Sequence, residues 1–358
     1  MKLLHVITSL YTGGAEMLVV NLVPRFQALG HEVGVVVFNG EHTPLMERLE
    51  KECPNCKLYK LGDSFYNPWS IVRLVKIMRE YDIVHTHNSS PQLYAAVANL
   101  FCGIKLVTTE HNTNNRKRGN RLLSMIDRWM YSKYDRVICI SNQAEENLRK
   151  YLPNNSIDKM QIDTLYNGVN IEDIHSAKPI MELGKDKFVI VMVSAFRPQK
   201  DHETLVKAMT KLPVDKYEVW LVGGGESYDK VVQLVQELKV EQNVKFWGVR
   251  TNVYNILKSA DVVVMSTHYE GLSLSNIEGM AAGKPFIASD VEGIREITKG
   301  YGVLVPHQDV DALANAIVQL HDDKQLYKQI ADRCYERAMQ FDISKMVSRY
   351  NDVYLSIS

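Results

Sequence analysis

The sequence predicts an α/β protein made of two Rossmann-like halves. Three observations predict it. Short apolar runs alternate with amphipathic helical stretches along almost the whole chain, the pattern of repeated βαβ units. The alternation starts afresh after a polar stretch from Asn170 to Asp186. The 358 residues also exceed what one ordinary core holds.

In chain order, the first half has strands near Lys2 to Thr8, His31 to Phe38, Ile83 to Thr86, Lys105 to Thr109, Arg136 to Ile140 and Gln161 to Tyr166. Helices fit near Glu16 to Leu29, Ile71 to Glu80, Pro91 to Phe101, Arg121 to Tyr131 and Gln143 to Tyr151. The second half has strands near Phe188 to Ser194, Tyr217 to Val222, Val244 to Phe246, Val262 to Met265, Phe286 to Ser289 and Gly302 to Val305. Its helices include His202 to Lys211, Tyr228 to Leu238 and Val253 to Lys258, and Val310 to Ser358 reads as helix only. The expected domains are 1–170 and 171–340, with 341–358 returning to the first. The carboxyl edges of the two sheets are expected to face a shared cleft, since domain boundaries favour ligands.

Composition narrows the classes. Hydrophobic residues make up 46% and charged residues 23%, an ordinary globular balance. Lys+Arg and Asp+Glu both number 42, so no global charge favours nucleic acid. The amino terminus lacks a small-residue cleavage site, which argues against a signal peptide. No run approaches about 18 apolar residues, so no membrane span is expected. Five cysteines, an odd number, suit a reducing cytosol. Cys53 and Cys56 have C-x-x-C spacing, but without a second pair they read as a surface loop.

The chemistry concentrates after predicted strands. Glu270 and Glu278 flank a strand-to-helix turn, E-G-L-S-L-S-N-I-E. In open α/β folds such a turn sits where ligands bind. The helix start offers N–H groups to phosphate, and the carboxylates can accept from ribose and sugar hydroxyls. Ser275 and Glu278 also have capping-box spacing, which leaves Glu270 unexplained. Arg197 and Lys200 share one loop and can hold a diphosphate, Arg as a fork and Lys as a point charge. Gly13, Gly14, Gly223 and Gly224 follow other strands and permit close backbone approach, or simply tight turns. His85, His87 and His111 end strands of the first half. His85 and His87 suggest a metal pair, but no third ligand is specified, and structural hydrogen bonding is favoured. His111 is the candidate for contact across the cleft. A basic stretch, Asn115 to Arg121, leads into an apolar helix that can meet an anionic membrane surface or pack in a core.

Together these motifs resemble the retaining glycosyltransferase family 4, of GT-B fold. The resemblance covers nearly the whole chain and rests on E-x7-E at Glu270 and Glu278 followed by G-M-A-A-G-K-P. Supporting it are G-G-A-E at Gly13, the Arg197/Lys200 loop, L-V-G-G-G-E, N-G-V at Asn167 and A-D-V-V-V-M-S at Ala260. It implies a nucleotide-sugar donor, UDP by family frequency, held mainly by the second domain. Glu278 would hold the ribose and Glu270 the transferred sugar. Arg197 and Lys200 would hold the diphosphate, and Gly271, Leu272, Ser273 and Leu274 would line the sugar and phosphates. Gly223, Gly224 and Val249 would also meet the donor, Gly13 and Gly14 its phosphates or the acceptor, and His111 the sugar hydroxyls.

The resemblance further implies retention of configuration, no obligatory metal and no protein base. The acceptor would be a glycan or lipid-linked glycan of a surface polysaccharide. The site would be cytoplasmic, at the inner face of a bacterial membrane, with peripheral contact through residues 116–130. Two departures stand out: Ser273 replaces a usual glycine, and Gly279 a usual alanine, at about 1 kcal/mol of helix propensity. An epimerase on the same fold, which would act on donor alone, and a non-catalytic nucleotide-sugar binder are the competing readings.

Overall fold

Continuous apolar strands need cover on both faces, and the helices that alternate with them provide it. β1 (Lys2–Ile7) and β2 (Glu32–Val37) are buried over all but their first residue. Five more strands complete the first sheet: β3 (Lys57–Lys60), β4 (Ile83–His87), β5 (Lys105–Glu110), β6 (Arg136–Cys139) and β7 (Gln161–Thr164). Their order is β3-β2-β1-β4-β5-β6-β7, parallel throughout. The second sheet holds β8 (Phe188–Val193), β9 (Tyr217–Val222), β10 (Val244–Gly248), β11 (Val262–Met265), β12 (Phe286–Ser289) and β13 (Val303–Val305). Its order is β10-β9-β8-β11-β12-β13, again parallel.

The computed structural model describes residues 1–11, 13–62, 69–111, 121–152, 160–180, 186–270 and 274–358. They divide into two compact units, Met1–Asn167 with Met346–Ser358, and Gly168–Lys345. In each sheet the strand order reverses once, between β1 and β4 and between β8 and β11. Successive loops part at such a point and leave a crevice beyond the carboxyl ends of the strands.

Local chemistry sets the helix limits. Asp309 accepts from the Ala312 N–H at 2.8 Å, and Asp323 accepts from Gln325 and Leu326 at 3.0 and 2.9 Å. These caps divide the tail into helices Val310–Asp322 and Lys324–Ala338, before the last helix, Ile343–Leu355. That last helix buries Tyr350 and Tyr354 in the first unit. Tyr354 hydrogen-bonds His85 Nδ1 at 2.5 Å, and Tyr350 bonds Thr109 at 3.3 Å.

The structure adds elements absent from the sequence reading: strand β3 and helices Pro44–Glu52, Ile171–Ser176 and Ile294–Thr298. β3 is a half-buried edge strand, K-L-Y-K, too polar to read as an apolar run. The last two helices have 6 and 5 residues, too few to show a helical period.

Candidate active site

In the second unit, the β8/β11 reversal gathers the charged groups. After β8 the chain turns through Arg197–Lys200, with the Lys200 N–H bonded to the Arg197 carbonyl at 2.9 Å. Lys200 bridges to Thr267, beyond β11, in an antiparallel pairing. This sets the two loops side by side, and the Lys200 ammonium donates to the Glu270 carboxylate. Both side chains are mostly buried, at 12% and 14% exposure, so water screens the pair little. Lys200 Nζ also lies 3.7 Å from Met265 Sδ. Arg197 is exposed, and its guanidinium has no hydrogen bond or ion pair among the described residues.

The helix Leu274–Ala281 follows Glu270 in the chain and carries Glu278. Tyr254 donates to Glu278 at 3.3 Å, a partner the sequence reading missed because it lies on the Val253–Ser259 helix. Burial raises the Glu278 carboxyl above its ordinary pKa, and the Tyr254 bond opposes this. Hydroxyl donors reaching this carboxylate would favour its charged form. Leu274 is half-buried at the helix start. Gly271, Leu272 and Ser273 lie outside the described residues.

The neighbouring glycines have a packing reason of their own. Gly223 has φ +143°, and a Cβ there would meet the Ser194 carbonyl at 2.0 Å. Gly225 has φ +148° and faces the Phe196 carbonyl at 2.4 Å. The loop after β9 thus lies directly on the loop after β8, tied by the Phe196 N–H to the Gly224 carbonyl at 3.0 Å. Val249, just past β10, is 81% exposed, an apolar surface beside the same edge.

In the first unit, the β1/β4 reversal brings Asn88 to the first turn of the helix that Gly13 and Gly14 open. Gly13 caps the Gly14–Ala28 helix, and Asn88 donates to Glu16 of that helix at 3.3 Å. Register makes His5 the cross-strand partner of His85. His5 Nδ1 and His87 Nε2 are 3.1 Å apart, and His87 Nδ1 and His111 Nε2 are 3.2 Å apart. His85 bonds Tyr354 and, at 2.8 Å, Thr109. Burial lowers all four histidines: His5 to about 3, His111 to about 4, and His85 and His87 well below 6.5. His111 is therefore a neutral hydrogen-bonding group at neutral pH, ending a chain of imidazoles that starts in the core.

The comparisons agree with this architecture. The family described as Glycosyltransferase Family 4 matches residues 12–173, and Glycosyl transferases group 1 matches residues 173–337. The chain belongs to glycosyltransferase family 4 and has the GT-B fold. It is similar to an Escherichia coli UDP-Gal:alpha-D-GlcNAc-diphosphoundecaprenol alpha-1,3-galactosyltransferase, 28% identical over 80% of this chain and 79% of that protein. It is 27% identical to N-acetyl-alpha-D-glucosaminyl L-malate synthase of Bacillus anthracis, over 96% of this chain and 94% of that one. Among solved structures, Anabaena HepE in complex with UDP superposes with a TM-score of 0.85 at 20% identity, covering 100% of both chains.

Proposed function

We propose that the protein is a retaining hexosyltransferase that moves a sugar from a UDP-sugar to a lipid-linked glycan in surface polysaccharide synthesis. The observation that carries this reading is the Lys200–Glu270 pair at the β8/β11 reversal, with the exposed Arg197 guanidinium on the same loop. In it, the donor diphosphate takes Lys200 from Glu270 and recruits Arg197, while Glu270 turns to the sugar hydroxyls and Glu278 accepts from the ribose. Gly223, Gly224, Val249 and residues Gly271, Leu272, Ser273 and Leu274 complete the donor contacts. His111, as a neutral imidazole, serves a sugar hydroxyl, and Gly13 and Gly14 approach the phosphates or acceptor.

The bond from the anomeric carbon to the diphosphate oxygen breaks, and its electron pair leaves with UDP. The acceptor hydroxyl oxygen bonds that carbon on the same face, and its proton passes to the leaving phosphate. The two cations offset the developing charge, so the reaction proceeds without an obligatory metal. The similarity to a galactosyltransferase with a diphosphoundecaprenol substrate supports a lipid-linked acceptor. So does the helix Arg121–Tyr131, which exposes Leu123, Met125, Ile126 and Trp129 and fits peripheral contact at the inner membrane face.

The test is transfer from UDP-hexoses to an undecaprenyl-diphosphate-linked sugar, with the product's anomeric configuration read by NMR. Retention is expected, with kcat/KM lowered about 10²–10³-fold in Arg197→Ala and Lys200→Ala. Inversion, or full activity in both variants, would overturn the reading. An epimer formed from donor alone would favour the isomerase instead.

A further inference from the structure

A second cluster of chemistry lies beside the ion pair, within the second unit. The bridge between Lys200 and Thr267 continues on both sides: the Asp201 N–H donates to the Ser266 carbonyl at 3.1 Å, and the His268 N–H to Gln199 at 3.0 Å. Asp201 and His268 are thereby fixed on adjacent segments. His307 follows β13 and is held by what comes next. Gln308 takes a left-handed φ of +61°, and Asp309 caps the Val310–Asp322 helix. His268 Nδ1 and His307 Nε2 end 2.9 Å apart.

Asp201 makes the cluster more than a histidine pair. It is 2% exposed, and Oδ1 caps the following helix by accepting from Thr204 at 3.0 Å. Oδ2 is buried with no partner among the described residues, and so is the nearby Ser266 hydroxyl. A buried carboxylate oxygen without a donor is costly, and a bound cation is a partner that would satisfy it. One ligand atom each from Asp201, His268 and His307 lie within 4.8 Å of one another. Bonds of about 2.0–2.2 Å to one ion would require the three side chains to adjust around it.

We propose that Asp201, His268 and His307 form a binding site for a divalent transition-metal ion, Zn²⁺ or a close relative. One carboxylate oxygen and two imidazole nitrogens suit such an ion better than Mg²⁺ or Ca²⁺, which take oxygen ligands. Three protein ligands leave a further position open, and the exposed His307 gives access from solvent. The ion would tie the loops that carry Lys200 and Glu270 to the loop after β13. The first unit has another cluster, His5, His85 and His87. It lacks a carboxylate, and both His85 nitrogens are bonded to hydroxyls, so it reads as a hydrogen-bond network.

The experiment is calorimetric titration of the chelator-stripped full chain with Zn²⁺, with Co²⁺ followed by its visible absorption. One Zn²⁺ per chain is expected, with affinity lowered at least about tenfold in His268→Ala, His307→Ala and Asp201→Asn and the Co²⁺ spectrum lost. Asn keeps the acceptor that caps Thr204, and circular dichroism melts confirm each fold. Should Asp201→Asn fail to fold, the two histidine variants decide. No Zn²⁺ binding, or equal affinity in wild type, His268→Ala and His307→Ala, would overturn the proposal.

Discussion

At the residue scale, Gly279 separates two explanations of one substitution. Helix propensity alone says that alanine should stabilise the Leu274–Ala281 helix by about 1 kcal/mol. The packing says otherwise. A Cβ at Gly279 would lie 2.9 Å from Val263 Cγ1 and 3.1 Å from two Phe286 ring carbons. Val263 is β-branched and sits in a buried strand, so it gives way only at a cost. Overpacking costs about 1–3 kcal/mol, which outweighs the propensity gain. Gly279→Ala should therefore lower the melting temperature, and a rise would show that Val263 and Phe286 relax freely. Because the same helix carries Glu278, the glycine also sets how closely that carboxylate's backbone approaches the sheet.

At the element scale, β1, β4 and the residue after β5 store a pH dependence. His5, His85, His87 and His111 are neutral when folded, with pKa values pushed down by burial. In the unfolded chain they protonate near pH 6.5. Their contribution is complete above about pH 6.5 and is lost as pH falls from there toward 4 and 3, because the unfolded state then binds more protons. The urea midpoint should fall between pH 7 and pH 5, and a flat profile would contradict the burial of neutral imidazoles. The Arg121–Tyr131 helix supports a separate expectation. Met125 is 65% exposed, beside Ile126 and Leu123. Met125→Glu with Ile126→Glu should weaken sedimentation with anionic vesicles while leaving the melting temperature within a few degrees. Unchanged vesicle binding would place any membrane contact elsewhere; residues 116–120 lie outside the described residues.

At the scale of the whole molecule, legibility followed burial. Strands covered on both faces, such as V-I-V-M and V-V-V-M, stand out as apolar runs, and so the two-sheet α/β class is readable from the chain. The edge strand K-L-Y-K does not stand out, because only half of it is covered. Strand order is not written in local pattern at all, and it governs the sites. Lys200 and Glu270 are separately conspicuous after their strands, but their pairing comes from β8 lying next to β11. His85 and His87 look like a pair in sequence, and the β1–β4 register adds His5 from 80 residues upstream. Asp201, His268 and His307 give no local signal, since each alone reads as a cap or a loop residue.

The most direct test of the central claim is calorimetric binding of UDP to the wild-type protein and to Lys200→Ala in the presence of a chelator. A charge-assisted bond to phosphate is worth about 1.5–3 kcal/mol. Metal-independent UDP binding is expected, weakened roughly ten- to hundredfold in Lys200→Ala. Equal UDP affinity in the two proteins, or binding of GDP or ADP with none of UDP, would contradict it.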